Sequence, residues 1–240
     1  FPRMDGSTSM VPLGQAVASV LLGQSREDVA DLVSFNRTTQ SFRNLASGQC
    51  DLLLVGQPNA AVFDEMKEAG FEYDLETIAT DALIFVVNEN NPVDSLTVEQ
   101  VRGIYSGKYK NWVEVGGVRR AINPVTRLEG SGSQTMFEAF MGESSIGRKS
   151  PFAVFGASIG FSFRYYMEGI VGNSSVKMLS LNGVYPSAEN IKSRAYPIVA
   201  QFYAIYRADN QNPNLPALID WLLSDEGQAL IEQCGYVGIN

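Results

Sequence analysis

Along much of the chain, short apolar runs alternate with apolar residues at helical spacing. DLLLVGQPNAAVFDEMKEAG (51–70) shows the plan most clearly: a continuous apolar run at Leu52–Val55, a GQPN turn, and a helix ending at Gly70. A run that is apolar at every position has no solvent face. It predicts a strand covered on both sides, as in a parallel sheet. RMDGSTSMVPLGQAVASVLLG (3–23) predicts a strand end, a Ser/Thr turn, Pro12 early in a helix, and a Val17, Val20, Leu21 face. DLVSFNRTTQSFRNLASG (31–48) predicts a strand near Leu32–Phe35, then Thr38 and Thr39 ahead of a helix carrying Phe42 and Leu45. Gly48 suits the stop of that helix. Strands and helices alternate, so the fold class is α/β.

Two strand patterns are longer, TDALIFVVN (80–88) and YPIVAQFYAIYR (196–207). Between them, LTVEQVRGIYSG (96–107) reads as a helix with Thr97 near its cap, and KYKNWVEVGG (108–117) as a loop or short turn structure with a solvated KYK face. SIGFSFRYYMEGI (158–170) fits helix and strand equally, and VKMLSLNGVYP (176–186) reads as a strand and a turn. The last helix starts at Ser224, with Asp225 and Glu226 in its first turn as the helix dipole favours. Each long strand joins the segments on either side of it. Two lobes are therefore expected, 1–84 with 197–240 and 85–196, with the strands near 80–88 and 197–206 as crossings and hinge. Ligands of α/β lobes sit beyond the carboxyl ends of strands, near helix starts. The turns at Ser7–Ser9, Thr38–Thr39, Gln57–Asn59 and Ser131–Ser133 all occupy such positions. If they face one cleft, they line it mostly with dipoles.

The richest chemistry lies in TRLEGSGSQTMFEAFM (126–141). A strand pattern at 121–125 leads to Arg127, two Gly-Ser pairs, and a helical stripe of Met136, Phe137, Phe140 and Met141. Helix starts carry unpaired N–H groups and a partial positive charge, so they hold anions. Glycine admits close backbone approach, serine hydroxyls cap or donate, and Arg127 can make two parallel bonds to an oxyanion. The same pattern also fits a capped surface helix, with Arg127 paired to Glu129. Arg164, set among Phe161, Phe163, Tyr165 and Tyr166, reads as a cation stacked on a ring or paired with a buried acid, or as a second anion contact. The aromatics themselves read as core or lobe-interface packing.

Composition narrows the function classes. The chain has 240 residues, 45% of them hydrophobic, enough for one large domain or two lobes. No stretch approaches the ~18 apolar residues of a membrane helix. The net charge of −8 comes with no basic face for nucleic acid. There are no histidines, which removes the usual catalytic triad and most zinc sites. A serine nucleophile at Ser131 or Ser133 would then need a lysine or carboxylate base. Lys149 is the nearest lysine downstream, and its spacing recommends nothing. No catalytic residue, metal site or cofactor is expected. The two cysteines, Cys50 and Cys234, lie far apart. Cys50 opens an apolar run and reads as a buried thiol, with a disulfide as the alternative outside the cytoplasm. FPRMD reads as a trimmed mature start or as the edge of an expressed segment.

DGSTSMVPL (5–13), NPVDSLTVEQVRGIYSGKYKNWVEVGG (91–117), TRLEGSGSQTMFE (126–138), GASIGF (156–161), NGVYPSAENIKSRAYPIVAQFYAIY (182–206) and LLSDEGQALIEQCGYV (222–237) follow one another in order. Together, over nearly the whole chain, they resemble the phosphate-binding proteins of bacterial phosphate ABC transporters. The resemblance implies a type 2 periplasmic-binding-protein fold whose two α/β lobes close on the ligand by a hinge motion. It also implies a monomeric, extracytoplasmic protein that feeds membrane permease subunits and, as in many relatives, is lipid-anchored through a segment upstream of Phe1. Carried over, the family's first loop matches Thr8 and Ser9, with Ser7 adjacent. Its second loop matches Thr38 or Thr39, and its arginine and Ser-Gly-Thr match Arg127, Ser131, Gly132 and Ser133.

One departure stands out. Relatives often place an aspartate after the third strand, where it accepts a proton from bound phosphate. This chain has Gln57, Pro58 and Asn59 there, which are uncharged. Asp5 or another acid is the substitute on offer. Sulfate, molybdate-type oxyanions and small carboxylates therefore stay open as ligands, as does a surface adhesion or sensing protein with the same fold.

Overall fold

The computed structural model describes residues 1–240 apart from 34, 58, 59, 71, 129, 130, 148, 149, 151–153, 155 and 168–174, and the side chains of 60, 61 and 63. Pro58, Asn59, Glu129 and Lys149 thus lie outside the described residues. In chain order the elements are β1 (Met4–Gly6), α1 (Val11–Leu22), α2 (Thr38–Ala46), β2 (Leu52–Gly56), α3 (Ala60–Glu68), β3 (Tyr73–Asn88), β4 (Ser95–Leu96), α4 (Val98–Ser106), β5 (Asn123–Pro124) and α5 (Gly132–Met141). They continue with β6 (Ser158–Phe163), α6 (Arg164–Tyr166), β7 (Val176–Met178), β8 (Ser180–Leu181), α7 (Ala188–Lys192), β9 (Val199–Arg207), α8 (Leu215–Leu223) and α9 (Asp225–Gln233). The alternation of strands and helices expected from the sequence is present. The chain divides into two compact units. One holds Phe1–Thr80, Gly130–Gly132 and Ala200–Asn240, and the other Asp81–Glu129 and Ser133–Val199.

In the first unit β1 and β2 run parallel, with Met4 opposite Leu52 and Gly6 opposite Leu54. β9 pairs with β2 in the antiparallel sense, Leu53 opposite Ile205. The sheet is therefore mixed rather than parallel throughout, because the chain returns along β2 in the reverse direction. β2 is nonetheless buried at every position, as its unbroken apolar run requires. Among the described residues, the strand expected at Leu32–Phe35 is reduced to one parallel bridge between Val33 and Met4. Ala30–Leu32 forms a 3₁₀ turn instead, and Leu32 is exposed. Among the described residues of that segment Val33 is buried and Phe35 half-buried. In α1, Pro12 sits in the first turn, and Leu13, Ala16 and Val17 are buried. Val20 is 55% exposed and Leu21 39%, which corrects the expected face. Helical period predicts which way a side chain points, not how far its neighbours reach along the helix.

The second unit is built on β3. β6 pairs with it antiparallel, from Leu83 opposite Phe163 to Val87 opposite Ile159, and β7 pairs on its other side. β5 lies parallel to β6. SIGFSFRYY resolves into both of its candidate structures: strand to Phe163, then a helical turn. The buried Asp81 carboxylate accepts the Tyr165 N–H at 3.2 Å and so holds the start of that turn. α4 is closed by a capping box, in which Thr97 Oγ1 accepts from Gln100 N and Gln100 Oε1 accepts from Thr97 N. An aromatic cluster fills the core. Phe137 of α5 stacks on Phe161 of β6 at 4.1 Å and 10°, with Tyr105, Phe85 and Phe140 around them. The Tyr105 hydroxyl donates to the carbonyls of Val125 and Ile159, and burial pushes its pKa well up. It therefore stays a neutral donor that ties α4 to the end of β5 and to β6.

Candidate functional site

In the first unit the Val33 bridge, β1 and β2 share one direction, so the turns that follow them leave from one carboxyl edge. Ser7–Ser9, the start of α2, and Gln57 all follow these segments. Gly6 fits closely there: a Cβ would lie 2.0 Å from the Leu54 carbonyl oxygen, so no side chain is admitted. The Ser7 N–H donates to that carbonyl at 3.0 Å. Ser7 then precedes a 3₁₀ turn, Thr8–Met10, that runs straight into α1. The amides of Thr8 and Ser9 open this helical segment and have no acceptor inside it. Ser7 is buried, with its hydroxyl 2.9 Å from that of Ser9, while Thr8 is exposed. Tyr236 steadies the turn by donating to the Ser9 carbonyl at 2.6 Å.

Thr38 and Thr39 form the first turn of α2. Thr38 is 6% exposed, and its Oγ1 has no hydrogen-bond partner among the described residues. A buried hydroxyl in that state costs about 1–3 kcal/mol. The residue before it, Arg37, has φ 68° and ψ 158°, a region almost reserved for glycine and worth about 1–3 kcal/mol of strain. Unsatisfied polarity and backbone strain therefore meet at one helix start. Thr39 is half-buried, and Gln57 is exposed just beyond β2.

Asp5 does not stand in for the missing loop aspartate. It is 2% exposed, and its Oδ1 accepts from the backbone N–H groups of Gly6 and Asn36, each at 2.7 Å. Oδ2 accepts from the side-chain amides of Asn36 at 3.0 Å and Asn44 at 2.7 Å. A carboxylate offers about four acceptor sites, and these bonds use them. Asp5 is a brace between β1 and α2.

The second unit carries the arginine. Arg127 is exposed, with its guanidinium carbon 5.8 Å from the centre of the Tyr166 ring and Nη1 3.5 Å from Ser162 Oγ. Its backbone N–H donates to Gln134 Oε1 at 3.0 Å. Ser133 is buried in the first turn of α5, Gly132 begins that helix, and Ser131 precedes it, both half-buried. Sequence reasoning missed the roles of Gln134, Ser162 and Tyr166. Only Gln134 left a signal, as a glutamine in the first turn of a helix, the position of a capping-box residue.

The expected site residues thus form two groups. Ser7, Thr8, Ser9, Thr38, Thr39 and Gln57 lie in the first unit with Ser131 and Gly132, while Arg127 and Ser133 lie in the second. Cys50 and Cys234 are free thiols. Burial first, then the charges of Asp5 and Asp51, push Cys50 up to about 12, so it is protonated and inert at neutral pH. No described group of three or more Cys, Asp or Glu could hold a metal ion, and no described helix is long and apolar enough to cross a membrane.

The model of the PBP superfamily domain matches residues 3–226. The chain belongs to the PBP superfamily. Among curated PBP-type relatives, the phosphate-binding protein PstS of Bacillus subtilis is 26% identical over 98% of this chain and 80% of its own length. PstS of Borreliella burgdorferi is 29% identical over 68% of this chain and 66% of that protein, just short of two thirds of its length. Among solved structures, a candidate phosphate ABC transporter substrate-binding protein from Clostridium perfringens with bound phosphate superposes with a TM-score of 0.78. It is 26% identical and covers 99% of this chain and 98% of that one. An ABC-type phosphate transport receptor from Vibrio cholerae gives 0.73 at 26% identity, covering 98% of each chain. The resemblance read from the sequence motifs is borne out, as is the PBP-like α/β fold class. These relatives carry the names of binding proteins, not of enzymes.

Proposed function

We propose that the protein captures inorganic phosphate outside the cytoplasm and delivers it to the membrane permease subunits of an ABC importer, acting as a monomer. The observation that carries this reading is the Thr38 hydroxyl, buried and without a partner among the described residues, at the N-terminus of α2. A tetrahedral oxyanion supplies the acceptor that this hydroxyl lacks, and the first-turn amides favour its charge. Ser7, Thr8, Ser9 and Thr39 offer further neutral donors at the same sheet edge, and Gln57 an amide. Arg127 offers a bidentate cation, and Ser131, Gly132 and Ser133 the start of α5. Such contacts act at bonding distance, whereas the net charge of −8 is screened over about 8–10 Å. The names of the relatives, and the phosphate bound in the Clostridium perfringens protein, support this ligand.

The crossings near residues 80 and 199 are proposed as the hinge of a closure that excludes water, and a lipid anchor upstream of Phe1 as the means of retention at the cell surface. A fully ionised oxyanion such as sulfate is the second reading. It is favoured by one observation: the Asp5 oxygens are already used, and Gln57 carries no charge. Calorimetric titration of ligand-stripped protein with phosphate, repeated in excess sulfate, tests both. Phosphate binding that sulfate does not displace is expected. Equal competition by sulfate replaces phosphate with a general oxyanion, and no phosphate binding overturns the assignment.

A further inference from the structure

Arg127 is exposed, and little holds its guanidinium: a ring face at 5.8 Å and a hydroxyl at 3.5 Å. A long cationic side chain in that state loses rotamer entropy when it binds an anion. Its backbone is better held. The Arg127 N–H donates to Gln134 Oε1 across seven residues, closing the loop between the arginine and the first turn of α5. A capping-box glutamine ordinarily reaches back to the N-cap amide. Gln134 also holds the backbone of the residue that carries the charge.

The amide of Gln134 is specified at both ends. Its Oε1 faces the Arg127 N–H, a donor, and its Nε2 donates to Glu138 Oε1 at 2.8 Å. Glutamine is the side chain of this length that satisfies both partners. Glutamate would keep the acceptor but set a second carboxylate against Glu138, and methionine would satisfy neither. Gln134 itself is 4% exposed, while its partners Arg127 and Glu138 are exposed. The clamp also reaches the core. Phe137, on the same helix as Gln134, is stacked on Phe161 of β6.

We propose that Gln134 is a positioning residue for anion recognition: it fixes the backbone at Arg127 and so pre-organises the guanidinium. This rests on the reading of Arg127 as an anion contact. A neutral clamp suits that task, since a carboxylate in its place would bring negative charge to the arginine.

The test measures amide hydrogen exchange at Arg127 by NMR and phosphate affinity by calorimetry in Gln134→Met, Gln134→Glu, Arg127→Ala and Arg127→Lys proteins. Gln134→Met should lose protection at the Arg127 amide, keep it from Phe137 onward, and bind phosphate about fivefold more weakly, the equivalent of one hydrogen bond. Gln134→Glu retains the acceptor, so the Arg127 amide should stay protected while affinity still falls. In the Arg127→Lys background the effect of Gln134→Met should shrink, because a flexible ammonium gains less from a fixed backbone. Unchanged affinity in Gln134→Met, or the same fold-loss in both backgrounds, overturns the positioning role. Arg127→Ala binding as tightly as the parent overturns the anion-contact reading itself, an outcome distinct from failure of the clamp alone.

Discussion

Replacing Thr38 by valine separates a ligand site from a structural one by the sign of its effects. Valine keeps the branched shape and the methyl packing of Thr38 and removes Oγ1, the atom that is buried without a partner among the described residues. In the ligand-free protein that oxygen bears a desolvation cost with no return. Its removal should leave stability unchanged or raise it by about 1 kcal/mol. In the phosphate complex the same hydroxyl would donate to a charged oxygen, a bond worth about 1.5–3 kcal/mol. Affinity should therefore fall about ten- to hundredfold. The two effects oppose each other in one variant. Thermal unfolding without ligand reads the first, and calorimetric titration with phosphate reads the second. A third reading follows by linkage. Stabilisation by ligand grows as RT ln(1 + [L]/Kd), so at a phosphate concentration about a hundred times the parent Kd the ligand should lend the variant about 1.3–2.3 kcal/mol less than the parent. Destabilisation of the ligand-free protein by about 1 kcal/mol or more in Thr38→Val, together with phosphate binding within twofold of the parent, would refute a ligand role for this hydroxyl.

Other perturbations probe the rest of the molecule. Arg127→Ala removes the proposed charge partner and should cost about 2–5 kcal/mol of binding, roughly thirtyfold or more, measured by the same titration. Asp51 gives a pH prediction. Burial pushes its carboxyl up, but bonds from the Arg3 side chain and backbone N–H and from Asn212 outweigh this and hold it at about 2. Its folded pKa lies below the usual unfolded value of about 3.9, so its contribution is full above about pH 4 and is lost as pH falls toward 2. Arg3 is 59% exposed and therefore screened, which sets the contribution at about 1 kcal/mol. Asp51→Asn should flatten the acid limb of stability by that amount in denaturant titrations from pH 6 to pH 2.

Much of the fold was legible because local chemistry repeats. The unbroken apolar run at Leu52–Val55 is a strand buried at every position. Pro12, Thr97 and Ser224 stand at helix starts because backbone geometry and unpaired amides demand such residues there. Readings that needed a neighbour went astray. Val20 carries the right period for a buried face but lies beyond the reach of the core. Leu32 follows a strand-like pattern, yet among the described residues there the strand bridge falls on Val33. SFRYY could not be divided from sequence, because the Asp81 carboxylate that holds its helical turn lies far away in the chain.

The alternation of strands and helices, the Gly-Ser helix start behind Arg127, and the family are written in short-range spacing or in motifs that keep their order. Tertiary structure alone decided the wiring. It consumed the Asp5 carboxylate in a brace to α2, left the Thr38 hydroxyl buried without a partner among the described residues, and set Gln134 against the arginine backbone. The physical reason is that a polar group's function depends on which of its hydrogen-bonding valences remain open. That count is known only when residues distant in sequence have been brought within bonding distance, or kept out of it.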